Sequence, residues 1–185
     1  MKFSRTKILE ITVLFIILAA GTAAFIQPCR SSIVDLAYHK PFAVSSALGA
    51  GSDYQVKLIV HYGSGVDSGN VFYLDGNCRS DFGDVRFVGS DGATFLSYWM
   101  ENMVPGGSAT FWVKINDDLS SSSSTNYVYY GNSGYSSASD GVATFILFDD
   151  FGGSSLNSAL WEPYGTIGPE NYVISLANSQ IDISG

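Results

Sequence analysis

Four carboxylates, Asp81, Asp84, Asp91 and Glu101, lie close together in one stretch of the chain. Two carboxyls facing each other across a sugar, one with a raised pKa, can hydrolyse a glycoside. Nothing in this spacing sets such a distance, and two of the four have ordinary structural duties. Asp91 belongs to an Asp-Gly turn and Asp84 precedes a strand, positions where aspartate commonly turns or caps the chain. A serine triad has no better support: the only histidines are His39 and His61, and no G-x-S-x-G elbow exists. The expectation is a chain with no catalytic residues, not an enzyme. Calcium is the stronger ionic option, since loop oxygens of Asp81, Asp84 and Asp91, or of Asp149 and Asp150, could ligate a hard cation; the EF-hand spacing is absent. No other cofactor is expected, and the lack of close Cys-Cys or Cys-His spacing argues against zinc.

Aromatic side chains offer a second chemistry. Trp99, Trp112, Tyr98, Tyr129 and Tyr130 could stack on sugar rings, although rings flanking an alternating strand more often fill a core. Tyr98 and Trp99 are adjacent, so within a strand only one can face inward. Phe111, Val113 and Ile115 share a face, which leaves Trp112 on the other. An outward Trp99 or Trp112 calls for a ligand or a neighbouring domain. Arg86 points away from Val85 and Phe87, toward Asp84 or Glu101. Trp99, Trp112, Arg86 and Glu101 are therefore the candidate ligand-binding residues, with an Arg86 ion pair as the structural alternative.

The elements that would carry these residues are strands. Tyr54, Val56, Leu58, Val60 and Tyr62 alternate with Gln55, Lys57 and His61, the period of a half-buried antiparallel strand. His39 to Ser46 is its expected partner. Val85–Val88 and Thr94–Met100 bracket the Ser90-Asp91-Gly92 turn as a hairpin. Pro105-Gly106-Gly107 turns the chain into Ala109–Ile115, and the serine run Ser120–Ser124 reads as a solvated hairpin loop. Val71–Leu74, Asn126–Tyr130 and Ala143–Phe148 supply further strands, and no segment has a convincing helical period. The fold class expected is all-β, an antiparallel β-sandwich of jelly-roll type. Its core should include Tyr54, Val56, Leu58, Val60, Phe111, Val113 and Ile115.

Several short motifs follow one another in order: Asp84-Val85-Arg86-Phe87, Ser90-Asp91-Gly92, Tyr98-Trp99-Met100-Glu101, Trp112-Val113-Lys114-Ile115 and Tyr127-Val128-Tyr129-Tyr130-Gly131-Asn132. Over about residues 38–151 the chain resembles the secreted β-modules of domain of unknown function 2341. The resemblance implies an architecture and a place in larger extracellular proteins, without an assigned activity. From Phe148 the sequence FDDFGGSSLNSALWEPYG, then YVISLANSQIDISG, resembles the opening of a concanavalin A-like (laminin-G-like) domain. Tyr172–Leu176 and Gln180–Ile183 would form its first hairpin, turned by Ala177-Asn178-Ser179. A whole domain of that type needs many more residues, so an incomplete gene reading is expected there.

Composition bounds the compartment. Aromatics and glycine are frequent and charged residues sparse, as in extracellular β-proteins. Lys2, Arg5 and Lys7 precede an apolar run, Ile8 to Ala20, and the small residues Gly21 to Ala24. This is a cleaved signal peptide or a membrane anchor, and it is the only membrane contact expected. Losing three positive charges and Glu10 with it takes the net charge from −8 to −10. So acidic a surface repels phosphate backbones, which excludes nucleic acid as a partner. Outside the cell Cys29 and Cys78 can pair or remain free. The expected organisation is 1–27 signal or anchor, 28–37 connector, 38–148 sandwich module and 149–185 the start of the second sandwich. The expected role is recognition of glycans or cell-surface proteins. The alternatives are an accessory domain of a secreted polysaccharide-degrading enzyme and a structural subunit of a surface filament or sheath.

Overall fold

The computed structural model describes residues 35–162, 173–177 and 179–184. The signal or anchor segment and Cys29 lie outside them. The described chain is all-β apart from a single helical turn. Its strands are β1 (Tyr38–Val44), β2 (Tyr54–His61), β3 (Val71–Tyr73), β4 (Arg86–Val88), β5 (Tyr98–Met103), β6 (Ser108–Ile115) and β7 (Ser124–Tyr130). The turn α1 (Gly141–Thr144) follows, then β8 (Val173–Ala177) and β9 (Gln180–Ser184). One sheet has the order β1-β7-β4 and a second the order β3-β2-β6-β5, while β8 and β9 form a sheet of their own.

The alternation legible in β6 is realised strictly. Ala109, Phe111, Val113 and Ile115 are buried, and Thr110, Trp112 and Lys114 lie half-buried on the other face. In β7, Ser124, Asn126, Val128 and Tyr130 turn inward and Thr125, Tyr127 and Tyr129 outward. The inward faces of the two sheets share one core. Ring pairs cross it: Phe42 on β1 with Phe72 on β3 at 6.2 Å, and Phe87 on β4 with Phe111 and Tyr98 at 5.3 Å each. These edge-on contacts suit the positive rim and negative face of aromatic rings.

Several expectations need correction. β1 pairs with β7 in one sheet, while β2 pairs with β6 in the other. Sequence neighbours are thus split between layers. The sheets are not wholly antiparallel, because β3 lies parallel to β2. The Ser90-Asp91-Gly92 turn does begin a hairpin, with a Val88–Phe95 bridge and a Leu96 N–H donating to the Phe87 carbonyl at 2.8 Å. The chain then leaves that sheet, and β5 pairs with β6 in the other. The serine run is likewise a crossing from β6 to β7, not a hairpin loop. Ala143–Phe148 is no strand: Asp140 caps α1, its side chain accepting the Ala143 N–H at 2.9 Å, and the local cap prevails over the apolar run. Within the expected core, Val56 is only partly buried and Tyr54 is exposed at 51 %. The β5–β6 hairpin turns as expected, with Gly106 at φ 67° where a side chain would be strained.

Candidate functional site

Trp99 on β5 and Trp112 on β6 are cross-strand partners on the outer face of the four-stranded sheet. Both are half-buried. The Trp112 indole N–H donates to Glu101 Oε2 at 3.2 Å, and the Lys57 ammonium lies 3.8 Å from the same oxygen and 5.7 Å from the Trp112 ring centre. Three of the four candidate ligand-binding residues therefore meet on one face. The segment after α1 reaches the same face. Phe148 meets Trp99 edge-on at 4.9 Å, and Phe145 meets Trp99 and Trp112 at 5.9 and 6.0 Å. Gly141 makes this possible, since a β-carbon there would lie 2.2 Å from the Phe148 ring. The rings left outward by alternation are thus covered in part by the chain itself.

Arg86 belongs to the other sheet and does not join them. It is 9 % exposed and binds carbonyls in place of the expected carboxylate. Its Nη1 donates to Val85 and Gly83 at 2.7 and 3.0 Å and to the Tyr98 hydroxyl at 3.3 Å, its Nη2 donates to Ser136, and its guanidinium stacks over Tyr135. Tyr98 in turn donates to the Val85 carbonyl and accepts the Ala138 N–H. Arg86 thereby ties β4 to the 133–138 segment, a structural role.

The carboxylates have similar duties. Asp84, 1 % exposed, accepts the Arg79 N–H on Oδ1 and the Gly131 and Asn132 N–H groups on Oδ2, all at 2.8–3.0 Å. Asp81 grips Arg79 through both oxygens at 2.8 and 2.7 Å. The Arg79 guanidinium, and next the Gly83 N–H, hold the Asp81 carboxyl well below the usual carboxylate range. Asp91 sits in its own turn, where bonds from the Thr94 hydroxyl, then the Thr94 and Ala93 N–H groups, lower its pKa to about 2. Asp149 accepts the Phe151 N–H and the Trp161 indole N–H, and Asp150 the Gly152 N–H, so all five calcium candidates face donors of their own. Among the described residues no group of three or more His, Cys, Asp or Glu is placed to hold a metal ion. Cys78 is a buried thiol, pushed up to about 12 by burial and by nearby Asp84.

A second aromatic surface lies on the outer face of the three-stranded sheet. His39 stacks on Tyr129 at 4.9 Å, and Tyr127 meets His39 and Tyr129 at 6.0 and 6.4 Å. Tyr127 also lines a polar cleft of about 400 Å³ formed with Asp117, Asp118, Ser122, Ser123 and Thr125. Asp117 is pinned by the Ser90 hydroxyl at 3.0 Å and by the Ser124 hydroxyl. Asn126, fully buried, donates to Ser124 Oγ at 2.9 Å, and its Oδ1 is the one buried side-chain polar atom without a partner among the described residues. Sequence reading named Tyr129 but missed Tyr127, His39 and the aspartate pair. The alternation of Thr125, Tyr127 and Tyr129 was the available signal; the cleft itself joins residues from separate loops.

Residues 81–164 match the family described as Domain of unknown function (DUF2341). The match begins and ends later than the resemblance drawn from motifs. It takes in β4 to β7 and α1 but not β1 to β3, although β2 and β3 complete the sheet that β5 and β6 build. Asp81, Asp84, Arg86 and the Trp99–Phe148 cover fall inside the DUF2341 stretch, while Arg79, which Asp81 and Asp84 bind, lies just before it. No curated protein and no solved structure matches the chain.

Proposed function

We propose that this chain is a non-enzymatic extracellular β-sandwich module that recognises glycans through aromatic side chains on the outer faces of its sheets. The observation behind this reading is the pair of half-exposed aromatic surfaces, each with hydrogen-bonding groups at its rim. A sugar presents an apolar C–H face and a ring of hydroxyls, so it needs both kinds of partner. Trp112 with Glu101 and Lys57 is one such surface, and Tyr127 with the aspartate cleft is the other. A secreted or cell-surface location is the reading that the basic and apolar start of the sequence and its acidic, serine-rich remainder support. The β8–β9 hairpin supports reading residues 149–185 as the opening of a concanavalin A-like domain.

A glycan array probed with the full chain tests recognition, with melting temperatures measured in parallel for Trp99→Ala and Trp112→Ala. Specific binding by the wild type supports the reading. A blank array for a folded wild type would refute it and leave a structural surface module.

A further inference from the structure

We propose that the cleft beside Tyr127 is a binding site for neutral hexose oligosaccharides, with the Tyr127 ring as the stacking surface and Asp118 as the acceptor for sugar hydroxyls. This rests on the glycan-recognition reading and selects one of its two surfaces. Trp99 and Trp112 already spend part of their ring surface on Phe145 and Phe148. On the three-stranded sheet the rings of Tyr127 and Tyr129 contact only each other and His39 among the described aromatic pairs, and His39 is exposed. His39 lies flat on Tyr129, whereas Tyr127 meets both neighbours steeply, so Tyr127 is the ring not stacked on a neighbour.

The cleft chemistry narrows the ligand. Its volume of about 400 Å³ falls within the roughly 300–1,000 Å³ range of small-molecule sites. Its walls carry two aspartates, hydroxyls and one phenol ring, with no lysine or arginine. Phosphate, sulfate or uronate groups would meet carboxylates there with no cation to neutralise them. A neutral polyol meets acceptors and hydroxyls suited to its own O–H groups. The two aspartates divide the work. Asp117 is committed to Ser90 and Ser124 and fixes the cleft wall. Asp118 accepts the Ser120 N–H on Oδ1 at 2.8 Å and is bonded by the Ser120 hydroxyl as well, both from its own exposed loop. A carboxylate has about four lone-pair sites, so acceptor capacity remains. A sugar hydroxyl donating there makes a charge-assisted bond, about twice as strong as a neutral one. His39 and Tyr129 continue the aromatic surface away from the cleft, so the site suits an oligosaccharide better than a single sugar.

Isothermal titration of the full chain with maltotriose, cellotriose and mannotriose, and with trigalacturonic acid as the anionic counterpart, tests this. Binding of at least one neutral trisaccharide is expected, with the acid at least about tenfold weaker. Tyr127→Ala should weaken binding at least about tenfold, Tyr127→Phe should keep it, and Asp118→Asn should reduce it about fivefold or more. Asp118 lies on an exposed loop, so its variant decides the matter even if Tyr127→Ala unfolds the protein. Unchanged affinity in both Tyr127→Ala and Asp118→Asn overturns the site while glycan recognition stands. Equal or tighter binding of the acid, or binding only of glycans other than the three neutral ones, overturns the ligand assignment. A wild type that binds no glycan at all removes the underlying reading and the site with it.

Discussion

Asp84→Ala is the most demanding test of how this fold is held. The Asp84 carboxylate is buried and satisfies three backbone N–H groups, one from the loop before β4 and two from the segment after β7. Alanine removes the acceptor and leaves all three donors in place. A buried donor left unsatisfied costs about 1–3 kcal/mol, and bonds to an ionised group stand at the upper end. Arg79, Gly131 and Asn132 are all half-buried, so water can recover part of the loss at each. A total of about 3–5 kcal/mol follows, a large share of the about 5–15 kcal/mol that stabilises an ordinary domain. For a domain of this size that lowers the melting temperature by about 10–20 °C. Asp84→Asn keeps one acceptor oxygen but turns an NH₂ toward backbone donors, and should cost about half as much. Urea unfolding followed by tryptophan fluorescence measures both, and native-state hydrogen exchange at Arg79, Gly131 and Asn132 should accelerate in the variants. A loss below about 1 kcal/mol for Asp84→Ala, with an unchanged urea slope, would show that water or rearrangement satisfies these donors and that the Asp84 carboxylate is not a keystone.

Three further outcomes are expected. Gly141→Ala should unseat Phe148 from Trp99, because the new β-carbon meets the ring at 2.2 Å; a red-shifted tryptophan emission and faster proteolysis near Ile146 and Leu147 would register this, and an unchanged spectrum would contradict it. The Asp91 carboxyl should titrate near 2 by carbon NMR and move up toward 3.8 in Thr94→Val. Because its folded pKa is depressed, its contribution to stability is present above about 3.8 and is lost as the pH falls toward 2. In a Cys29→Ser variant, Cys78 should resist maleimide at pH 8 in the folded protein and react at once in 6 M guanidinium, since burial holds its pKa near 12; rapid native labelling would show that the loop before Asp81 opens.

The alternating strands were legible in the sequence because a strand's side chains repeat with period two whatever the partner, whereas the apolar run Ala143–Phe148 misled. Residues 109–115 show it: ATFWVKI alone places Phe111, Val113 and Ile115 inward and Trp112 outward, as the structure has them. The same logic separated Tyr98 from Trp99. Pairing was not legible, since alternation says which face is apolar but not which strand lies alongside. Sequence proximity suggested β1 with β2, yet β1 joins β7 across many intervening residues.

The site divided along the same line. Trp99, Trp112 and Glu101 come together because β5 and β6 form a local hairpin, a short-range feature that the Pro105-Gly106-Gly107 turn announces. Arg86 could be set on the face opposite Val85 and Phe87 but not located, because its sheet was undetermined, and its Ser136 carbonyl partner comes fifty residues later. The roles of Asp84 and of the Phe145–Phe148 cover depend on chain segments meeting in space, and so does the Tyr127 cleft. Local chemistry, periodicity and turns are written along the chain; which backbone donors meet a carboxylate, and which ring is covered, follow only from how the two sheets close on each other.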